Sequence, residues 1–303
     1  MTTAPNGMPA IAPPPPGMPP PPPTGISGKA VDLTNIDVPK FEKKTSEFRP
    51  PRLIVVGVEG WGKTTLGALA PDPAIVQIRG ETGYDTLLGA GLVPAVPCIT
   101  ANSWPVLLAA FKREAESESP HKTYVTDALG GAETLCHEFV CDRDFNGDWG
   151  EKGFASFQKG YDVAVPEWIS FLDTLDALHQ RGSMIILLSH ANVVNFKNPL
   201  GEDFDRYAAA LHKKTWAPTR KWADAIFFAT YRTLTHDRDA QGRKTQAKGI
   251  GGTQRVIFTE RRDAFDAKNR YSMPPELDVP DGVEHLWPLI WANIPAANKG
   301  PAK

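Results

Sequence analysis

Nine residues constrain the fold of this chain more than any other stretch: Gly57-Val58-Glu59-Gly60-Trp61-Gly62-Lys63-Thr64-Thr65. They fit the pattern G-x-x-x-x-G-K-[S/T]. In such a loop the glycines let main-chain N–H groups turn inward around phosphate oxygens. The lysine reaches the terminal phosphates, and the first threonine offers its hydroxyl to a divalent cation. A helix that starts at Lys63 aims its positive end at the same anion. The flanks agree with this reading: residues 53–56 are an apolar, strand-forming run, and residues 64–69 favour helix. ATP with Mg²⁺ is therefore the expected ligand, with Lys63 on the phosphates and Thr64 on the metal.

The rest of the chain reads as strands and helices in alternation. Strands are expected at 74–78, 124–126, 184–189, 225–231 and 256–259. Helices are expected at 104–118 and from Pro166, where Trp168, Phe171, Leu172, Leu175 and Leu178 share one face up to Gly182. Such alternation means an α/β fold, a mostly parallel twisted sheet with helices on both faces. Ahead of it, the first 28 residues hold 11 of the 29 prolines and no Asp, Glu, Lys or Arg. They cannot bury a core, so residues 1–50 are expected to be a disordered Pro-rich arm and linker, either a plain tail or a docking site for a partner's aromatic groove. Residues 51–291 then form the folded domain and 292–303 a flexible tail. Trp287, Ile290 and Trp291 suggest a terminal segment packed back on the domain. No apolar run is long enough to span a membrane, and the 3 cysteines suit a reducing, cytoplasmic setting. Cys136, His137 and Cys141 fit no structural zinc spacing.

Two carboxylates are candidates for the chemistry. Asp127 ends the 124–126 strand and can hold the metal with Thr64, or simply cap the next helix. Glu81 follows the 74–78 strand and can orient or deprotonate an attacking water, with Asp85 the nearest rival. His190, just past the 184–189 strand, can contact the terminal phosphate or be a structural histidine.

Taken in this order, the motifs resemble the RecA-like P-loop ATPase core. The phosphate loop has Glu59 third and ends Gly-Lys-Thr-Thr. Glu81 follows the second strand, Asp127 the third, and the pair Ser189-His190 ends a later one. With Ala267-Lys268-Asn269-Arg270 and Pro274, they are similar to a bacteriophage-type group of ATP-binding proteins that includes single-strand annealing proteins. The resemblance spans about residues 52–278. It implies Lys63, Glu81, Asp127 and His190 as catalytic residues, and Lys268 and Arg270 as groups reaching a neighbouring subunit's nucleotide in a ring or filament. This sequence departs from the pattern in two places. Trp61 fills a usually small position, and no acidic residue precedes Glu81.

The resemblance also implies two mobile DNA-facing loops. The first would be 142–165, where Phe145, Trp149, Phe154, Phe157 and Tyr161 can stack on bases or pack onto the sheet. The second would be 191–222, with Lys197, Arg206, Lys213, Lys214, Arg220 and Lys221. Residues 213–270 carry 14 Lys/Arg and 6 Asp/Glu, a surplus of +8 in a chain of formal net charge −2, so the rest carries −10. A basic segment on an acidic body suits a phosphate backbone. The expected protein is an ATPase that binds single-stranded DNA and promotes annealing or recombination. A helicase-like motor and a nucleotide-gated adaptor are the alternatives.

Overall fold

In the first strand, β1 (Arg52–Gly57), side chains alternate between two cores: Ile54 and Val56 face one, Leu53 and Val55 the other. That period of two, in a strand buried on both faces, is what a central parallel strand requires. The computed structural model describes residues 40–43, 48–238, 244–282 and 285–294, and the side chains of 233–251 are left aside. The expectation for the arm falls almost wholly on residues outside the described ones, and that for the tail does so from residue 295.

The parallel strands are β1, β2 (Pro73–Ile78), β3 (Cys98–Ala101), β4 (Thr123–Asp127), β5 (Met184–Phe196) and β7 (Ala225–Arg238). Their order is β3-β2-β4-β5-β1-β7, and antiparallel β8 (Lys244–Phe258) and β10 (Glu276–Asp278) extend the β7 side. The phosphate-loop strand β1 is thus separated from β4, which ends in Asp127, by the single strand β5. Short β9 (Lys268–Asn269) pairs with the start of β7.

One face is covered by α3 (Trp104–Glu116), α4 (Leu129–Phe145) and α5 (Lys159–Gln180). There Trp104 stacks on Trp168 with centroids 6.0 Å apart, and Phe171 packs against both. The Trp168 indole donates to Thr219 Oγ1 at 2.7 Å, tying in α6 (Lys213–Trp222). The other face is covered by α1 (Lys63–Ala68), α2 (Gly83–Gly89) and α7 (Leu286–Ala292). The terminal segment packs back as its sequence suggests. Trp287 Nε1 donates to the Leu66 carbonyl at 2.9 Å, and Ile294 beyond it is buried.

Three elements differ from the reading of the sequence. Helix α5 begins at Lys159, so Pro166 lies inside it. Pro166 is exposed, where water can replace the lost hydrogen bond, and packing of buried Ala164 and of Tyr161 on His212 holds the turns before it. The expected loop 142–165 is therefore the end of α4, a short connection and the start of α5. The expected loop 191–222 is the outer half of β5, its antiparallel partner β6 (Phe204–Ala209) and α6.

At the amino edge of the sheet, Arg52 is held by two carboxylates. It contacts Asp176 at 2.9 Å and Asp224 at 2.9 Å, and its guanidinium lies over the Trp222 ring. Burial opposes ionisation of Asp224, but hydrogen bonds from Arg52 hold its carboxyl below the ordinary value. A depressed carboxylate contributes stability above its unfolded pKa of about 3.9, and that contribution is lost as pH falls through the folded value. Asp224→Ala is expected to cost about 2–3 kcal/mol in urea unfolding at pH 7, reduced from the fully buried case because water reaches both groups. The gap from wild type should narrow below about pH 4. An unchanged gap would show that the pair does not supply this stability.

Candidate active site

The phosphate loop is shaped by two glycines for separate reasons. Gly62 has φ +106°, a conformation that L side chains rarely adopt. A Cβ on Gly57 would lie 3.1 Å from the Ala229 Cβ and 3.2 Å from the Lys63 Cδ, so β7 and the lysine stem leave it no room. Trp61, the unusually large residue, turns away from the loop and is buried in the core beneath α1, 1% exposed. Its bulk therefore does not occlude the site. Glu59 and Gly60 stay exposed, and Val58 donates its N–H to the Ala229 carbonyl.

The loop floors a cleft of about 660 Å³ at the carboxyl edge of the sheet. Lys63, Thr64 and Thr65 line it together with Glu81, Asp127 and His190. These residues lie at or just beyond the carboxyl ends of β1, β2, β4 and β5, so the parallel register brings them together. The Lys63 ammonium donates to the Gly57 and Val58 carbonyls at 2.9 and 3.0 Å. Burial lowers its pKa, against the opposing pull of Asp127, Glu59 and Glu81. Thr64 Oγ1 donates to Asp127 Oδ2 at 2.7 Å. Burial also raises the Asp127 carboxyl above its ordinary value, which marks a desolvated carboxylate short of positive charge.

This hydroxyl–carboxylate pair is the hard oxygen donor set that suits Mg²⁺. Thr64 and Asp127 are the residues that would hold it, and the ion would supply charge neutralisation on the phosphates. The inward loop and Lys63 fit a nucleoside polyphosphate.

Glu81 Oε1 lies 3.9 Å from His190 Nε2, an ion-pair distance when the imidazole is protonated. Nearness to His190, and more weakly to Lys63, holds the Glu81 carboxyl below its ordinary value against partial burial. It is therefore ionised at neutral pH, the form a general base needs. Asp85 is exposed in the first turn of α2 and does not line the cleft. Leu87 and Leu92 add apolar surface to the cleft lining, and nothing in their local sequence marks them as site residues. Arg255, from β8, also lines the cleft, and no motif around it marks it in the sequence.

The remaining sequence candidates lie elsewhere. Lys268 and Arg270 sit at the amino edge, across the sheet from the phosphate loop. Lys268 Nζ donates to the Arg220, Lys221 and Ala223 carbonyls that end α6, and Arg270 pairs with Asp224 at 2.9 Å. Arg206 does not belong to a basic surface: it is 8% exposed, pairs with Asp266 at 2.6 Å and lies over the Phe196 ring. The alternation of β6 turns it inward, which a count of charges cannot reveal. Lys197, Lys214 and Arg220 are paired with Asp203, Asp162 and Asp266, while Lys213 and Lys221 are exposed. Of the five aromatics of 142–165, Phe154 is buried among Phe145, Trp149 and Tyr161. Phe157 is fully exposed and Trp149 partly so.

The profile of the AAA domain matches residues 49–271, nearly three quarters of the chain. The chain belongs to the AAA domain family. A comparison with curated proteins found no match. Among solved structures, this AAA domain is similar to the flagellar accessory protein FlaH from Methanocaldococcus jannaschii. The identity is 12% over 72% of this chain and 91% of that one, with a TM-score of 0.29. It is also similar to an ATPase from the type III secretion system of pathogenic bacteria. That identity is 12% over 59% of this chain and about half of that one (52%), with a TM-score of 0.33. The fold is the α/β arrangement of a P-loop domain, a mostly parallel sheet between two layers of helices. Among the described residues, no helix is long and apolar enough to cross a membrane.

Proposed function

We propose that this AAA domain binds ATP with Mg²⁺, hydrolyses it slowly, and acts on single-stranded DNA in annealing or homologous recombination. We take it to be a phage-encoded protein working in the cytoplasm of a host cell as a ring or filament. The observation that carries the ATPase half is the convergence of Lys63, Thr64, Asp127, Glu81 and His190 on one cleft. Lys63 holds the phosphates, Thr64 and Asp127 hold the metal, and ionised Glu81 takes the proton of the attacking water.

Two antiparallel arms that rise from the carboxyl edge on either side of β1 support the DNA half. Strand β5 pairs with β1 as far as His190 and then runs out to Phe196 with β6. Strand β7 pairs with β1 as far as Ala229 and then runs out to Arg238 with β8. His190 thus faces Glu81 and also begins an arm that exposes Val193, Val194 and Leu200. A strand of DNA held by that arm, by exposed Phe157 and by Lys213 and Lys221 of α6 would act on the cleft through His190. Each base stacked on an aromatic contributes roughly 1–3 kcal/mol. A role for Lys268 and Arg270 at a neighbour's nucleotide requires them to exchange their in-chain partners for its phosphates. We assign the Pro-rich residues 1–50 to the docking of a further partner.

The test is ATP turnover with and without single-stranded DNA, together with DNA affinity with and without a slowly hydrolysed ATP analogue. Each ligand is expected to enhance the other, and DNA affinity should fall with salt by about 0.7 log units per decade for each phosphate contacted. Indifference of each ligand to the other would sink the recombination reading. Directional strand separation would favour a motor instead.

A further inference from the structure

Arg255 lines the cleft but takes no part in the metal site or in the proton transfer at Glu81. It lies on β8 opposite Tyr231 of β7, just where the two-stranded ribbon clears the end of β1. The Tyr231 hydroxyl donates to the Gly60 carbonyl at 2.8 Å, so the ribbon is fastened directly to the phosphate loop. The Arg255 backbone is also pinned, because its carbonyl accepts from Val279 N–H at 3.0 Å. Gln254 next to it donates to the Val279 carbonyl at 2.8 Å. The half-buried Arg255 side chain reaches the cleft from this anchored position. Among the described residues the arginines with acidic partners are several, but Arg255 has none, although Glu59, Glu81 and Asp127 line the same cleft. A fixed cation with no acidic partner among the described residues, in a cleft shaped for a polyphosphate, is placed for an anionic ligand.

Sheet order assigns the end of the ligand. Glu81 and His190 stand on the β5 side of β1, and Tyr231 and Arg255 stand on the β7–β8 side. The terminal phosphate must face Glu81 for water to attack it. The nucleoside-proximal end of the phosphate chain then faces the ribbon. We propose that Arg255 is a nucleotide-binding residue supplied by the ribbon of the same chain, contacting the nucleoside-proximal phosphate. This rests on the nucleotide reading of the cleft and deepens it. Because that phosphate is the same in ATP and ADP and carries no developing charge, the contact is made equally before and during reaction. It lowers KM without raising kcat.

The test is titration of the full chain with fluorescent ATP and ADP analogues in Mg²⁺, for wild type, Arg255→Ala and Arg255→Lys. The expected result is a Kd for both nucleotides raised about 10- to 100-fold by Arg255→Ala, the size of a lost charge-assisted pair. Arg255→Lys should recover part of it, and kcat should hold while KM rises. If wild type binds neither nucleotide, the nucleotide reading itself fails. If wild type binds both and Arg255→Ala binds them equally well, this inference fails alone. A loss confined to ATP would overturn the placement, since it would put Arg255 at the terminal phosphate. The unliganded variant should unfold at the wild-type temperature, because the guanidinium has no acidic partner among the described residues. Should it not, hydrogen exchange in wild type decides: ADP must slow exchange at residues 252–258, and unaltered exchange there overturns the proposal.

Discussion

Lys63→Ala is expected to weaken ATP binding by at least about 100-fold, the equivalent of one lost contact of roughly 3 kcal/mol to a charged group. Turnover should fall below detection. The ammonium is buried, its stem is packed under Gly57, and it donates two hydrogen bonds, to the Gly57 and Val58 carbonyls. It is already inside the loop at the position where phosphates arrive, and it exchanges those carbonyls for phosphate oxygens. The fold should survive the change. Burial lowers the lysine's pKa, so its charge is a cost to the unliganded protein rather than a support. A fluorescent nucleotide titration and a thermal melt on the same preparation check both halves. Wild-type affinity in a folded variant would remove the phosphate loop from the site.

Glu81→Gln is expected to separate binding from chemistry. The amide is the same size and lines the same cleft, so ATP affinity should change less than about threefold. Turnover should drop by roughly 10²- to 10⁴-fold, the usual worth of a positioned base. The geometry favours Glu81 over Asp85 because its carboxylate faces His190 inside the cleft, whereas Asp85 is on the exposed side of α2. Asp85→Asn should therefore leave turnover near wild type. The pH dependence follows from the same contact. Glu81 is held below its ordinary value, so the acid limb of the turnover profile should fall below the pH of an unperturbed glutamate, about 4.3. His190→Ala should move that limb up, because the nearest group holding the carboxyl down is gone. Full activity in Glu81→Gln, measured by phosphate release, would transfer the role to another residue.

Some of this was readable residue by residue, and the reasons are physical. The phosphate loop depends on backbone freedom at its glycines and on two flanking elements, all within residues 52–68, so its local sequence is sufficient. The face of α5 bearing Trp168, Phe171, Leu172, Leu175 and Leu178 follows from helical period alone, and all five are buried. The start of α5 was not readable. Pro166 is a strong local stop, and it was overridden by the packing of Tyr161 and Ala164, which come close to α6 and α4 only in the folded chain. Likewise the apolar run of β5 ends at Ser189 and predicts the strand's end there. The strand continues because β6 supplies the hydrogen bonds and one side of the arm stays in water.

What the sequence by itself determined is the strand–loop–helix around Lys63 and the α/β alternation that makes the sheet parallel. Both rest on short-range steric and hydrogen-bonding rules. Only the tertiary structure decided which distant residues share the cleft. Glu81 meets His190, and Thr64 meets Asp127, because β2, β4, β5 and β1 lie side by side in register. The same register turns Arg206 into the interior and brings Arg255, almost 200 residues from Lys63, to the phosphate loop. A charge count along the chain treats those two arginines alike. Which strand carries each, and which side of that strand it occupies, makes one a buried ion pair and turns the other toward the site.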